Sequence, residues 1–322
     1  MIFSYVKTAN TLALVEGLPL TVDQNLVWVQ VYLPTDDELK ILAKNFSIQL
    51  VNNNSGEIEI DDYHYIRSDL LILNSQCQLI FGKLLFILGE HVLITINFTE
   101  GFTPFENALR RLNRKPTNYE NCRSVLRVLL QIANDNTDHV INYIAEGLQE
   151  TSSEIFQISE GHSTDGKELG VQDLLETIIN LNKKEELISR CLESQLSLMR
   201  VVRYLNGEVD NTIEIELQIL VSELIADVSG VKEFAFFEYE KVRYLQNAVN
   251  NIMNIKQNQI VKVFTIITAV FLPPTLVGTF YGMNFEVMPE LSWKHGFLYS
   301  MILTLAAALL PLAYIKHKGW LR

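Results

Sequence analysis

A chain of 322 residues, 48% of them hydrophobic and 20% charged, can hold one or two soluble domains beside membrane spans, and its mean hydropathy of +0.14 exceeds that of most soluble proteins. A net charge of −12 argues against nucleic acid as a partner. Cys77, Cys122 and Cys191 are scattered without metal-ligand or redox spacing, which excludes a disulfide framework and fits a reducing compartment.

The opening Met1-Ile2-Phe3-Ser4-Tyr5-Val6 has no basic region followed by an apolar run, so no signal peptide is expected and the first ~250 residues are expected to stay in the cytoplasm. Residues 1–117 read as an α/β domain. Alternation predicts strands within Leu26–Leu33 and His91–Phe98. Thr35 followed by Asp36, Asp37 and Glu38 has the spacing of a capping box, which predicts a helix from Asp36. Asp61, Asp62 and Asp69 offer carboxylates to a cation, but the alternation Glu57-Ile58-Glu59-Ile60 favours a half-exposed strand edge.

Residues 118–210 read as a long helical hairpin packed on that domain. Apolar residues recur at three- and four-residue spacing from Asn118 to Ser159 and from Glu168 to Leu205, and Asn206-Gly207 reads as the next turn. Gly161, Gly166 and Lys167 imitate a phosphate-binding loop. Position 168 is glutamate where that loop needs Ser or Thr, and a helix precedes it where a strand is required. His162, Ser163 and Asp165 lack the scaffold of a triad, and no other catalytic constellation exists, so no enzyme is expected.

Residues 211–285 show helical periodicity with no proline before Pro273, which predicts one helix, about 100 Å long, from the turn near Gly207 into the uncharged stretch Val263–Phe285. A loop, 286–295, leads to a second apolar stretch, 296–315, and a basic tail, 316–322, that contains His317 and Trp320. Two bilayer crossings follow. From Lys256 onward six basic residues against two acids give +4, leaving −16 for residues 1–255. Lys256, Lys262, Lys316, Lys318 and Arg322 flank the spans on one side, which places both termini in the cytoplasm by the positive-inside rule.

Asn247, Asn251, Asn254, Asn258, Val261, Thr265, Thr268, Leu272, Thr275 and Thr279 form a stripe at 4-3 spacing, the seam of a supercoiling helix. Polar faces in lipid turn inward, and two helices alone cannot enclose a hydrated path, so a homo-oligomeric pore is expected. The alternative is that Thr and Asn join helices by hydrogen bonds and close packing. Phe264 rivals Thr265 for the axis-facing position because a 3.6-residue turn drifts along such a line. Leu272 and Val261 are the expected hydrophobic gate, and Asn258 offers a ring of amides. Pro273-Pro274 is expected to kink the helix above Leu272.

The first span ends in Tyr281-Gly282-Met283-Asn284, followed by Phe285-Glu286-Val287-Met288-Pro289-Glu290-Leu291 and the basic, Trp-containing tail. In these elements the chain resembles the CorA family of divalent-cation channels, over about Gln246–Leu321; over the N-terminal part the resemblance rests on pattern. It implies a homopentameric funnel in the cell inner membrane, with the first span lining the channel and the second outside it. Magnesium is the implied permeant ion, driven by membrane potential, with cobalt and nickel carried as ions of similar size. No cofactor is implied. The family's brake is magnesium bound between cytoplasmic domains through a stalk acid, and the position that aligns with that acid is Asn247. Glu233, Glu238 and Glu240 could substitute for it, although a solvated helix face is the favoured reading of these acids.

The tetrad Tyr281, Gly282, Met283 and Asn284 is then the expected selectivity filter. Asn284 supplies a neutral oxygen, and Gly282 is expected to turn backbone carbonyls to the axis through conformations closed to other residues. Such oxygens would hold the ion through its hydration waters. Glu286 and Glu290 would concentrate cations outside. Tyr281 is expected to anchor and Met283 to pack; Asn284 is equally suited to a left-handed helix cap. A proton-coupled zinc transporter of the related ZntB branch and a membrane-anchored coiled-coil scaffold are the alternatives. The intact loop after the tetrad favours the magnesium channel.

Overall fold

A computed structural model of the chain describes residues 1–8, 11–18, 25–49, 57–60, 63–73, 79–159, 171–209, 214–284, 286 and 288–319. Asp61, Asp62, the 161–167 loop, Phe285, Val287, Trp320 and Arg322 lie outside them. The chain divides into two compact units, residues 1–163 with 176–246, and residues 164–175 with 247–322.

In the first unit, strands β1 (Ile2–Lys7), β2 (Leu12–Glu16), β3 (Leu26–Tyr32), β4 (Glu57–Ile60), β5 (Tyr63–Leu73), β6 (Leu79–Leu88) and β7 (Leu93–Asn97) form one sheet in the order β2-β1-β3-β7-β6-β5-β4. Every neighbouring pair is antiparallel except β3 and β7, which run parallel with Trp28 opposite Leu93. The two-residue period of a strand divides its side chains between two cores. On β6, Leu84, Phe86 and Leu88 enter one and Leu85 and Ile87 the other.

Helix α1 (Asp36–Phe46) covers the second core with Leu42 and Phe46. Both bonds of its capping box form: the Glu38 amide donates to Thr35 Oγ1 at 3.3 Å, and the Thr35 amide donates to Glu38 Oε2 at 2.8 Å. These satisfy donors that the first turn leaves open. The first core centres on Trp28, fully buried, stacked on Tyr5 at 4.1 Å and donating Nε1 to Thr95 Oγ1 at 3.0 Å.

Helices α2 (Ala108–Leu112), α3 (Cys122–Ser159) and α4 (Val171–Glu208) follow. The long helix expected from Asn118 begins at Cys122, because Pro116 opens a 3-10 turn, Pro116–Tyr119, and Asn121 Oδ1 then caps the helix by accepting the Ser124 amide at 2.8 Å. Asn206-Gly207, expected as a turn, is helical: buried Leu205 and Val209 hold the last turn, with the Val209 amide on the Leu205 carbonyl at 3.2 Å. Core burial outweighs the ~1 kcal/mol helix penalty of one glycine.

Helix α5 (Ile215–Tyr281) is a single element of 67 residues, and α6 (Gly296–His317) has 22. Leu217, Val221, Leu224, Val228, Ala235, Val242, Leu245 and Val249 are buried at heptad spacing along α5. Pro273 and Pro274 lie inside α5 without ending it; their two missing amides remove two bonds while the ladder continues on both sides. The class is the expected one: an N-terminal α/β domain, long helices, and two apolar C-terminal helices, each long and apolar enough to cross a bilayer.

Candidate functional site

In the second unit every member of the stripe, from Asn258, Val261, Thr265 and Thr268 to Leu272, Thr275 and Thr279, is exposed in the single chain. Leu272 is 64% and Val261 56% exposed, so nothing in their own chain covers these apolar side chains. A shallow concavity of about 500 Å³ on this face is lined by Val261, Phe264, Thr265, Thr268 and Leu272, so Phe264 and Thr265 share it. A separate groove of about 450 Å³ is lined by Phe271 and Pro274 of α5 with Phe297 and Met301 of α6, and no stripe residue lines it.

The threonines all make the same bond. Thr265 Oγ1 donates to the Val261 carbonyl at 2.7 Å, Thr268 to Phe264 at 2.9 Å, Thr275 to Phe271 at 2.7 Å and Thr279 to Thr275 at 3.0 Å. Each hydroxyl spends its one hydrogen inside the helix, so what it offers outward is an acceptor oxygen. A hydrated cation presents water hydrogens, which such a row of acceptors matches. The residue types suggested a polar stripe; its acceptor character comes from geometry.

At the end of α5 the Gly282 amide is shared between the carbonyls of Gly278 at 3.0 Å and Thr279 at 3.2 Å, and the Met283 amide donates to Phe280 at 3.3 Å. The last turn thus tightens toward 3-10 geometry. The reason expected for Gly282 does not hold: among the described glycines positive φ occurs at Gly17, Gly101 and Gly319. A Cβ there would lie 3.2 Å from the Gly278 carbonyl oxygen, a tight contact that a shift of a few tenths of an ångström would relieve. Asn284 is exposed, and it is not a left-handed cap either; the described non-glycine residues with positive φ are Leu33 and Ser47. The Gly282 and Met283 amides instead satisfy the carbonyls of Gly278, Thr279 and Phe280. Met283, expected to pack, is exposed within its own chain, whereas Tyr281 is half-buried and within electrostatic reach of Glu290 and Tyr299.

The loop beyond is built by short bonds. In the 3-10 turn Pro289–Ser292, Ser292 Oγ donates to the Pro289 carbonyl at 2.7 Å; the Trp293 amide donates to Glu290 at 3.3 Å and the Gly296 amide to Trp293 at 3.1 Å. Trp293 meets the Tyr299 ring edge-on at 5.8 Å. Glu286 is exposed and Glu290 half-buried. Sequence reasoning missed Gly296, whose signal was only a glycine opening an apolar stretch.

The acids considered for regulation separate. Glu233 is exposed, Glu240 pairs with Arg243 at 3.4 Å, and Asn247 is exposed. Glu238 contradicts the solvated-face reading: it is 3% exposed, on the buried seam of α5, and paired with Lys241 at 3.3 Å. Asp69 is half-buried on β5, and its amide donates to Ser197 Oγ at 3.1 Å. Among the described residues no group of three or more His, Cys, Asp or Glu side chains is placed to hold a metal ion.

The family described as CorA-like Mg2+ transporter protein matches residues 23–317. The magnesium transport protein CorA of Wolinella succinogenes is 25% identical over 309 residues, 92% of each chain. That of Escherichia coli is 28% identical over 319 residues, 95% of this chain and 94% of its own. The complete structure of the CorA magnesium transporter from Methanocaldococcus jannaschii matches with a TM-score of 0.74 over 99% of this chain and 98% of that one, at 17% identity. That likeness speaks to the fold.

Proposed function

The chain belongs to the CorA-like Mg2+ transporter family, whose members are membrane transporters rather than enzymes, and on that premise we propose that it is a homopentameric channel for hydrated magnesium. The observation that carries the reading is the row of outward-facing threonine acceptors on α5, ending at an exposed Asn284. Copies of α5 around an axis would turn that row inward, with Leu272 and Val261 as apolar rings that gate by excluding water. Tyr281, Gly282, Met283 and Asn284 would form the filter, where neutral oxygens accept hydrogen bonds from the ion's water shell and release it again. Magnesium touches Asn284 and the Gly282 carbonyl only through those waters in this account.

Both termini face the cytoplasm of an inner membrane, and Glu286 and Glu290 concentrate cations at the outer mouth. The membrane potential contributes about 2.3 kcal/mol per charge per 100 mV, so a divalent ion gains about 4.6 kcal/mol, more than three decades of concentration at ~1.4 kcal/mol per decade. No ATP or proton is needed. Cobalt and nickel pass as hydrated ions of similar size, and magnesium on the cytoplasmic side acts as a regulatory ligand.

Reconstitution in liposomes tests the reading. Magnesium entry driven by an inside-negative potential, indifferent to a pH gradient and inhibited by cobalt, is the expected result. Entry that requires a proton gradient, or zinc movement without magnesium movement, would replace it with the zinc-transporter reading.

A further inference from the structure

The first unit holds a basic cluster at odds with the charge around it. Residues 1–255 carry −16, yet Arg110, Arg111, Arg114 and Lys115 fall within six positions. Asn107, Arg110, Arg111 and Arg114 are spaced i, i+3, i+4 and i+7, which places them on one face of α2 and its flanking turns. They line a concavity of about 210 Å³. The opposite face is fixed in the core: Ala108 and Leu112 are fully buried, and Phe105 meets Trp28 at 6.2 Å. Asn113 clamps both backbone groups of Leu12, accepting its amide at 2.8 Å and donating to its carbonyl at 3.1 Å. The Arg111 carbonyl accepts Asn118 Nδ2 at 3.0 Å.

Like charges three and four residues apart repel, so such a face needs counter-charge. Asp135 supplies it for Arg111. Among the described residues Arg110 and Arg114 have no ion pair, and both are exposed. We propose that this concavity binds a phosphate group, with Arg110 and Arg114 as its principal ligands, Asn107 donating from the amide, and Arg111 held in place by Asp135. Planar guanidinium forks on a rigid base match phosphate oxygens in paired hydrogen bonds, and the small volume suits one phosphate group rather than a whole nucleotide. The group arrives either as inorganic phosphate or as the terminal phosphate of a nucleotide whose base stays in solvent. The site stands on binding alone and does not rest on the transport reading.

Calorimetric titration of the full chain in detergent, with sodium phosphate and separately with ATP, tests it beside the R110Q/R114Q variant. Both substituted side chains are exposed, so the variant is expected to fold, with an unchanged melting temperature and oligomer size. Saturable binding of one phosphate group per chain is expected, weakened at least tenfold in the variant. Inorganic phosphate binding as tightly as ATP identifies the free ion as the source; ATP binding at least tenfold tighter identifies the nucleotide. Lack of saturable binding by either probe overturns the site, as does equal binding by the variant. A variant that dissociates, from a parent that binds neither probe, would assign the cluster to an acidic surface of a second copy instead.

Discussion

A Cβ on Gly296 would lie 2.2 Å from the carbonyl oxygen of Glu290, so the start of α6 and the acidic loop are in backbone contact that only glycine permits. Gly296→Ala must push that carbonyl away, at a cost of about 1–3 kcal/mol. The variant should melt lower than the parent and take up less magnesium at low external concentration, where local attraction matters most. Gly230→Ala is the control, since a Cβ there meets nothing within 4 Å inside α5 and should stabilise by up to about 1 kcal/mol. Normal uptake by Gly296→Ala at low magnesium would detach Glu290 from the mouth.

Glu238 is a carboxylate on an otherwise apolar seam, with Lys241 at 3.3 Å and itself half-buried. Replacing such a buried charge by a packed apolar side chain is often stabilising, by about 1–4 kcal/mol, whereas removing only its partner strands it. Glu238→Leu should therefore raise the melting temperature and Lys241→Ala should lower it, by about 1–3 kcal/mol. The opposite order in thermal denaturation would mean that Glu238 has partners beyond this pair.

How far the sequence could be read depends on the kind of signal. The capping box of Thr35 and Glu38 is local, so spacing alone located the α1 start, and both bonds are present. Strand alternation located β3 and β7 for the same reason. The α3 start was misplaced because Pro116 imposes a 3-10 turn that apolar periodicity does not register, and the α4 end because burial of Val209 overrides Gly207. In the candidate site, spacing and motif singled out the stripe and tetrad, and the structure adds that the stripe is exposed on α5 and that Asn284 is exposed just beyond its end. The direction of the threonine hydrogens and the backbone reason for Gly296 depend on distances to particular carbonyl oxygens, which residue types do not encode. Glu238 was misread because charge is a strong prior for exposure, and the seam only becomes visible once buried positions are aligned every seven residues.

Burial raises the thiol of Cys122 to about 11 and that of Cys191 to about 12. Neither should react with iodoacetamide at pH 8 in the folded protein, and both should react once denaturant is added. Because the folded values lie above the unfolded value, the stability they contribute is fully present below about pH 9 and is lost as pH rises through the folded values. Alkylation of either in the native state, read by mass spectrometry, would contradict their buried placement.

Leu272 stands 64% exposed in the single chain, on the same face as Thr268 and Thr275. If copies surround it, Leu272→Asn replaces an apolar ring by amides that hold water. Magnesium leak at high internal magnesium should rise several-fold, measured with a fluorescent indicator in liposomes. Unchanged leak would remove Leu272 from the gate.

The exposed Asn284 at the end of the acceptor row is the position proposed to pass hydrated magnesium. Magnesium entry into liposomes under an inside-negative potential, parent against Asn284→Ala, measures that passage most directly, with both proteins first matched for oligomer size. Potential-driven entry is expected in the parent and lost in the variant, while assembly and melting temperature stay the same. Equal entry through a well-assembled Asn284→Ala channel would contradict it.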